Sequence, residues 1–244
     1  MKPAAKHRLL IVGDSISLGV AELRGNEIAG YVNTPYVNIL RSRLANMVLQ
    51  VEADIHRTTT ATLKFLPEAL RQHTPDCVLL MLGGNDADVE WKRFIISDGR
   101  VLRNRIPLAD YTRNLQQLAE LIRHAGAKPI LTDMPNHCLA KRGPYLSALA
   151  NKDVAAMIAA HGGQPTSDAG LDRYRQAAQE VAARTGSAFI AYGRELNHHP
   201  LEAMSGPDGV HPSAEAHAII GDVIATQMDR LTCHDQITVP HRTH

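Results

Sequence analysis

The feature that most constrains this chain is an alternation along its length. Short apolar runs are separated by longer segments in which apolar side chains recur every three or four positions. Arg8 to Val12, Leu49 to Ile55, Cys77 to Leu82, Pro129 to Thr132 and Ala188 to Ala191 read as strands. Strands that alternate with helices in this way form a mostly parallel sheet covered on both faces. The expected fold class is therefore α/β, a three-layer α/β/α arrangement around about five strands.

The helical segments have their own signatures. Thr34 to Val48 places Val37, Leu40, Leu44 and Val48 on one face. Leu63 to His73 is the next. Leu108, Tyr111, Leu115, Leu118 and Ile122 give the clearest stripe, ended by Gly126. Ser167 to Thr185 is stopped by Gly186, and a last helix runs from Pro212 to about Leu231, with proline in its first turn where a missing N–H costs nothing. Two connections are long: Ala87 to Pro107, and Met134 to Thr166 with a helix over Tyr145 to Ala160 ended by Gly162-Gly163. Long loops in compact domains often serve function. With 244 residues, 44% of them hydrophobic, and no linker or repeat, the chain reads as one domain over 1–244. Its core spans about 8–231, and the tail 232–244 lacks periodicity and is expected to fray.

Charge and cysteine usage exclude several classes. Lys and Arg total 26 against 25 Asp and Glu, so nothing attracts a nucleic acid. Cys77, Cys138 and Cys233 are odd in number and widely spaced, as in a reducing compartment. Neither CxxC nor HExxH is present, so no metal site is suggested. The neighbouring His198 and His199 read as solvated, and neither they nor His137 are expected to be ligands. The N-terminus lacks the ~7 to 15 apolar residues of a signal-peptide core. No stretch approaches the ~20 apolar residues of a membrane helix. A cytoplasmic protein with no membrane partner is the expectation, export after trimming of a signal being the alternative.

In a parallel α/β sheet the carboxyl ends of the strands share one edge, where ligand sites gather. Three small polar clusters fall at such ends. In GDS, Ser15 could cap a helix or act as a nucleophile. In DGVH, Asp208 and His211 could form an ordinary turn and a helix cap, or a carboxylate orienting an imidazole that takes a serine proton. In GGND, Asn85 could belong to a simple turn or donate to a developing oxyanion.

Taken together, GDS, Gly83-Gly84-Asn85-Asp86 and Asp208 to His211 resemble three of the four sequence blocks of the SGNH/GDSL hydrolases, a family of serine esterases with a flavodoxin-like fold. The resemblance covers residues 9 to about 231. It implies that Ser15 is the nucleophile, His211 the general base and Asp208 the carboxylate that orients it. It also implies an oxyanion hole formed by the Ser15 amide and the Asn85 side chain, with Gly83 letting the loop approach and Asp14 mainly structural. The fourth block departs, for the glycine that ordinarily supplies a third oxyanion donor is missing from ADIHRTTTATLKFLP. By register Arg57 takes its place, or His56 or Thr58 if the alignment slips by one. Arg57 would then either meet an anionic or polyhydroxylated substrate or point to solvent.

Trp91, on a loop with Phe94 and five basic residues, and Asp86 are candidate substrate contacts, although Trp91 and Phe94 could equally pin the loop to the core. The implied activity is hydrolysis of carboxylic esters through an acyl-enzyme, without a cofactor. The substrate would be a small-molecule or saccharide ester, with short-chain or acetyl groups favoured, since YVNTPYV behind the serine block looks like that of carbohydrate-deacetylating members. The alternatives are a metal-dependent phosphoesterase and a non-catalytic carbohydrate-binding relative.

Overall fold

A computed structural model describes residues 7–233. The first strand, β1 (His7–Gly13), has Leu9 to Val12 all fully buried. Because successive side chains of a strand point to opposite faces, Leu10 and Val12 join one hydrophobic cluster while Leu9 and Ile11 join another. A strand buried on both faces must lie inside a sheet with helices on each side, and the rest of the chain supplies them.

After β1 a hairpin forms from β2 (Val20–Arg24) and β3 (Glu27–Tyr31), followed by α1 (Tyr36–Arg43), β4 (Met47–Ala53) and α2 (Thr59–His73). Next come β5 (Cys77–Met81), the short helices α3 (Gly84–Ala87) and α4 (Trp91–Ile96), α5 (Leu108–His124) and β6 (Lys128–Thr132). The remainder is α6 (Leu139–Ala150), α7 (Val154–Ala160), α8 (Gly163–Thr185), β7 (Ala188–Ile190), α9 (Tyr192–Leu196), α10 (Leu201–Met204) and α11 (Ala214–Cys233).

The five long-range strands pair in parallel in the order β4-β1-β5-β6-β7. Leu66 of α2, Leu118 of α5 and Val181 of α8 pack on one face with Leu10, Val12, Val78 and Leu80. Leu40 of α1, Leu196 of α9 and Ile220 of α11 pack on the other with Leu9, Ile11, Leu79 and Ile130. The expected three-layer parallel fold is the one observed. The chain leaves β1 toward β4 on one side and returns to β5 on the other. In open sheets of this order the crevice beyond the carboxyl ends of the two strands flanking that reversal is where ligands bind. A third, smaller cluster of Phe94, Leu146, Val154 and Ile158 packs α4, α6 and α7 together.

Several expected boundaries shift for local reasons. The periodic stretch 34–48 is not one helix: α1 stops at Arg43, and Val48 belongs to β4, since the chain must straighten to pair with β1. Helix α2 begins at Thr59 rather than Leu63, because the Thr58 side chain accepts from the Ala61 N–H. The single helix expected over 145–160 is two: Asn151, at φ 50°, ends α6, and Asp153 caps α7 through the Ala156 N–H at 2.9 Å. Gly162, at φ 90°, does not terminate a segment but precedes α8, which starts at Gly163 rather than Ser167. The last helix starts at Ala214 and continues through Cys233, while the rest of the expected tail, 234–244, lies outside the described residues. Among the described residues, no helix is long and apolar enough to cross a membrane.

Candidate active site

The segment leaving β1 coils through turns rather than a helix. Ser17 and Leu18 donate to the Asp14 carbonyl at 3.0 and 3.3 Å, and Gly19 donates to that of Ile16 at 3.0 Å. Gly13 permits this coil, since a Cβ there would sit 1.9 Å from the Ser17 hydroxyl. Ser15 therefore caps no helix. It lies at the carboxyl edge of the sheet, only 5% exposed.

The DGVH turn reaches the same place from the far end of the sequence. One oxygen of Asp208, Oδ1, accepts the N–H groups of Val210 at 2.9 Å and His211 at 3.0 Å, and Gly209 takes φ 74° to close the loop. The other, Oδ2, accepts the Leu23 N–H of β2 at 3.1 Å and meets His211 Nδ1 at 2.6 Å. His211 Nε2 in turn lies 2.8 Å from Ser15 Oγ. With the proton on Nδ1 facing the carboxylate, Nε2 is left to accept from the serine hydroxyl, and each group then has a complementary partner. Burial alone would raise the Asp208 carboxyl, but the His211 ring and its charge, with the two backbone donors, hold it well below the usual carboxylate range. The helix cap downstream is Ser213, whose hydroxyl accepts from Ala216 at 3.2 Å, so His211 does not serve as one.

The GGND segment lies beside β1 because β5 is its sheet neighbour. Gly83, at φ 121°, leaves no room for a side chain: a Cβ would meet Met134 Cε at 2.5 Å and the Tyr111 hydroxyl at 2.8 Å. The Asn85 Nδ2 group donates to Asp14 Oδ2 at 3.2 Å, while Asp14 Oδ1 accepts the Ile16 N–H at 3.0 Å. Burial pushes the Asp14 carboxyl up to about 6, against the pull of the Ile16 N–H and the nearby His211 and Asn85.

Asp86, expected to touch substrate, does not reach the cleft. It is fully buried, and its carboxylate accepts both the N–H and the hydroxyl of Thr59, at 3.1 and 2.5 Å, which anchors the start of α2. Arg57 is likewise turned away. Its guanidinium donates to the Glu52 carbonyl at 2.8 Å and lies 4.1 Å from the centre of the Phe65 ring. Of the three residues weighed for the missing glycine, Thr58 caps α2, and His56 holds φ 58° and lines the cleft. Left-handed backbone is what glycine ordinarily supplies, so His56 is the residue whose conformation matches that position. Its imidazole is held below its ordinary pKa by burial and by the neighbouring Arg105 and His211.

Ser15, Asn85, His56, Trp91 and His211 line one cleft of about 750 Å³, within the range of small-molecule sites. Trp91 is held by its Nε1–H donating to Asp88 at 2.8 Å and by an edge contact with Phe94, so it both pins the loop and faces the cleft. Asp88 and Arg105, the ends of that charged loop, line the same space, as do His137, Arg142 and Tyr145, which the sequence did not place there. Asp88 pairs with Arg105 at 2.9 Å. Although burial opposes it, that guanidinium, with His137 and Arg142, keeps the carboxyl below its ordinary range. The basic residues at 103–105 signalled this only by charge, while Arg142 and Tyr145 lie on a helix drawn from another part of the chain. Among the described residues, no group of three or more His, Cys, Asp or Glu side chains is placed to hold a metal ion.

Compared with known proteins, residues 11–219 match the GDSL-like Lipase/Acylhydrolase family. An arylesterase from Vibrio mimicus is 26% identical over 235 residues, covering 92% of this chain and 89% of its own. Among solved structures, a lipase/acylhydrolase from Enterococcus faecalis superposes with TM-score 0.65 at 20% identity, over 92% of this chain and 96% of that one. A catalytic mutant of an acetylxylan esterase from Geobacillus stearothermophilus does so with TM-score 0.61 at 21% identity, over 93% and 96%. These structural likenesses are of fold.

Proposed function

Since the chain belongs to the GDSL-like lipase/acylhydrolase family and is a carboxylic ester hydrolase, we propose that it works as a serine esterase through an acyl-enzyme on Ser15. The observation that carries this reading is the continuous path from Asp208 Oδ2 to His211 at 2.6 Å and from His211 to Ser15 Oγ at 2.8 Å, in the wall of the cleft.

In the first half-reaction Ser15 Oγ bonds to the ester carbonyl carbon and its proton passes to His211 Nε2. The carbonyl oxygen takes the negative charge and receives hydrogen bonds from the Ser15 N–H and the Asn85 amide hydrogen not given to Asp14. The C–O bond to the alcohol then breaks, and His211 returns the proton to the departing oxygen. Water repeats the sequence on the acyl-serine and frees the acid. Asp208, kept ionised by its neighbours, stabilises the imidazolium in both halves and fixes its tautomer. The turn at His56 supplies the third oxyanion donor through its backbone. The substrate is a short-chain or acetyl ester: the cleft is of small-molecule size, and an acetylxylan esterase is among the fold neighbours.

The test is direct. 4-Nitrophenyl acetate turnover is expected to fall by about three orders of magnitude or more in Ser15→Ala, as removal of a triad nucleophile does, with the melting temperature kept. A serine-directed organophosphate is expected to silence the wild type, and a chelator to spare it. Inhibition by the chelator alone would point to a metal-dependent phosphoesterase. Sugar binding without turnover of any ester would point to a non-catalytic relative.

A further inference from the structure

The first turn of α6 carries a cation where a helix least favours one. The N–H dipoles at a helix start make it electropositive, so acidic side chains are usual there. Helix α6 has none in that turn and bears Lys141 and Arg142 instead. Lys141 is accounted for, since its ammonium donates to the carbonyls of Glu202 and Ser205 at 2.6 Å each.

Arg142 is not accounted for. Among the described residues its guanidinium forms no ion pair: Asp88, which feels its charge, is engaged by Arg105, and the Asp208 carboxylate is engaged by His211. Its Nη1 reaches only the Asp208 carbonyl, at a long 3.4 Å, and its Nε is buried without a hydrogen-bond partner. The group lies 5.8 Å from the ring centres of both Trp91 and Tyr145, and all three line the cleft that contains Ser15. Tyr145 is itself fixed, its hydroxyl donating to the Leu23 carbonyl. Aromatic faces ease the burial of a guanidinium but satisfy none of its N–H donors. A planar carboxylate does, because its two oxygens match the guanidinium fork.

We propose that Arg142 is a specificity-determining residue that binds a carboxylate carried by the ester substrate, so that the preferred substrates are esters with an acidic acyl or alcohol part. This rests on the esterase reading of Ser15 and narrows its substrate class.

Two size-matched pairs that differ in charge test it: mono-4-nitrophenyl fumarate, whose trans carboxylate cannot attack its own ester, against its methyl ester, and 4-acetoxybenzoate against its methyl ester. The first pair places the anion on the acyl side, the second on the alcohol side. In the wild type, kcat/KM is expected to favour the acid over the methyl ester by at least tenfold in one pair, after correction for hydroxide-catalysed rates. Raising the salt concentration narrows that ratio. In Arg142→Gln the ratio falls at least tenfold, mainly through KM, and Arg142→Lys restores part of it.

Equal rates within both pairs in the wild type, or a ratio unmoved in Arg142→Gln, overturn the proposal. Should Arg142→Gln fail to fold, the wild-type ratio, its salt dependence and competitive inhibition by succinate decide the matter. Neutral-ester turnover that vanishes in Ser15→Ala leaves the esterase reading standing whichever way the ratio falls. No turnover of any ester sinks that reading itself.

Discussion

At the scale of single residues, Asp14 determines where the Asn85 amide points. Its buried carboxyl accepts one amide hydrogen of Asn85 and the Ile16 N–H, so the remaining amide hydrogen is free for an oxygen held near Ser15. Replacing Asn85 by Ala is expected to lower kcat by about 10²- to 10³-fold, the usual loss of one oxyanion donor, with KM changed far less. Steady-state kinetics on 4-nitrophenyl acetate checks this, and a loss confined to KM would remove Asn85 from the oxyanion role. That Ser15, His211 and Asn85 would meet at one edge of the sheet was legible in the sequence, because the proposed chemistry demands particular residue types beside glycines that shape the turn. His56 was legible only as a neighbour of Arg57. A non-glycine residue at φ 58° leaves no mark in the letters HRTTT, since it is the surrounding turn that imposes the strain. The opposite fates of Asp86 and Asn85, one sealed against Thr59 and the other lining the cleft, follow from a one-residue difference along the short helix α3.

At the scale of elements, the β2–β3 hairpin and the start of α6 hold the Asp208 to His211 turn from two sides. Leu23 of β2 donates to Asp208, and the Cys138 N–H that precedes α6 donates to the Gly209 carbonyl at 2.7 Å. Gly209 is the closest point of this packing: a Cβ would lie 2.5 Å from both the Arg142 nitrogen and the Cys138 oxygen, at φ 74°. Gly209→Ala is therefore expected to shift Asp208 and His211 away from Ser15. Turnover should fall at least tenfold, with destabilisation of about 1 to 3 kcal/mol from the left-handed backbone and the contact together. Parallel activity and urea-denaturation measurements check it, and full activity with unchanged stability would mean that the turn has slack. The strands of the main sheet were readable from their apolar runs. The hairpin was not read, although its signal is present: Arg24 pairs with Glu27 across Gly25-Asn26, a two-residue loop with Gly25 at φ 65°. Its strands are half exposed, so they lack the continuous apolar character that marked the others.

At the scale of the whole molecule, stability is coupled to pH by buried groups that pull in opposite directions. His217 is fully buried at the α1–α11 contact, where its Nδ1 accepts the Tyr36 N–H at 3.2 Å and its ring stacks on that of Tyr36. Burial drops its pKa to about 4, so as pH falls from the ordinary imidazole range toward 4 the unfolded chain takes up a proton that the folded state refuses. Its contribution is present at neutral pH and is lost on acidification, by at most about 3 kcal/mol. Asp133 behaves in the reverse sense. It accepts the N–H groups of Gly193 and Arg194 at 2.6 and 2.9 Å and ties β6 to α9, and burial raises its carboxyl to about 6 despite those bonds. Its contribution is complete below the ordinary carboxylate pKa and is lost as pH rises through 6. Measured by urea denaturation between pH 4.5 and 7.5, the stability of wild type minus that of His217→Gln should shrink as pH falls. The difference between wild type and Asp133→Asn should grow over the same interval. Each comparison isolates one group, so the many other titrating side chains cancel. Parallel slopes for the two variants would show that burial does not govern protonation at these positions, and that the α1–α11 and β6–α9 contacts admit water in solution.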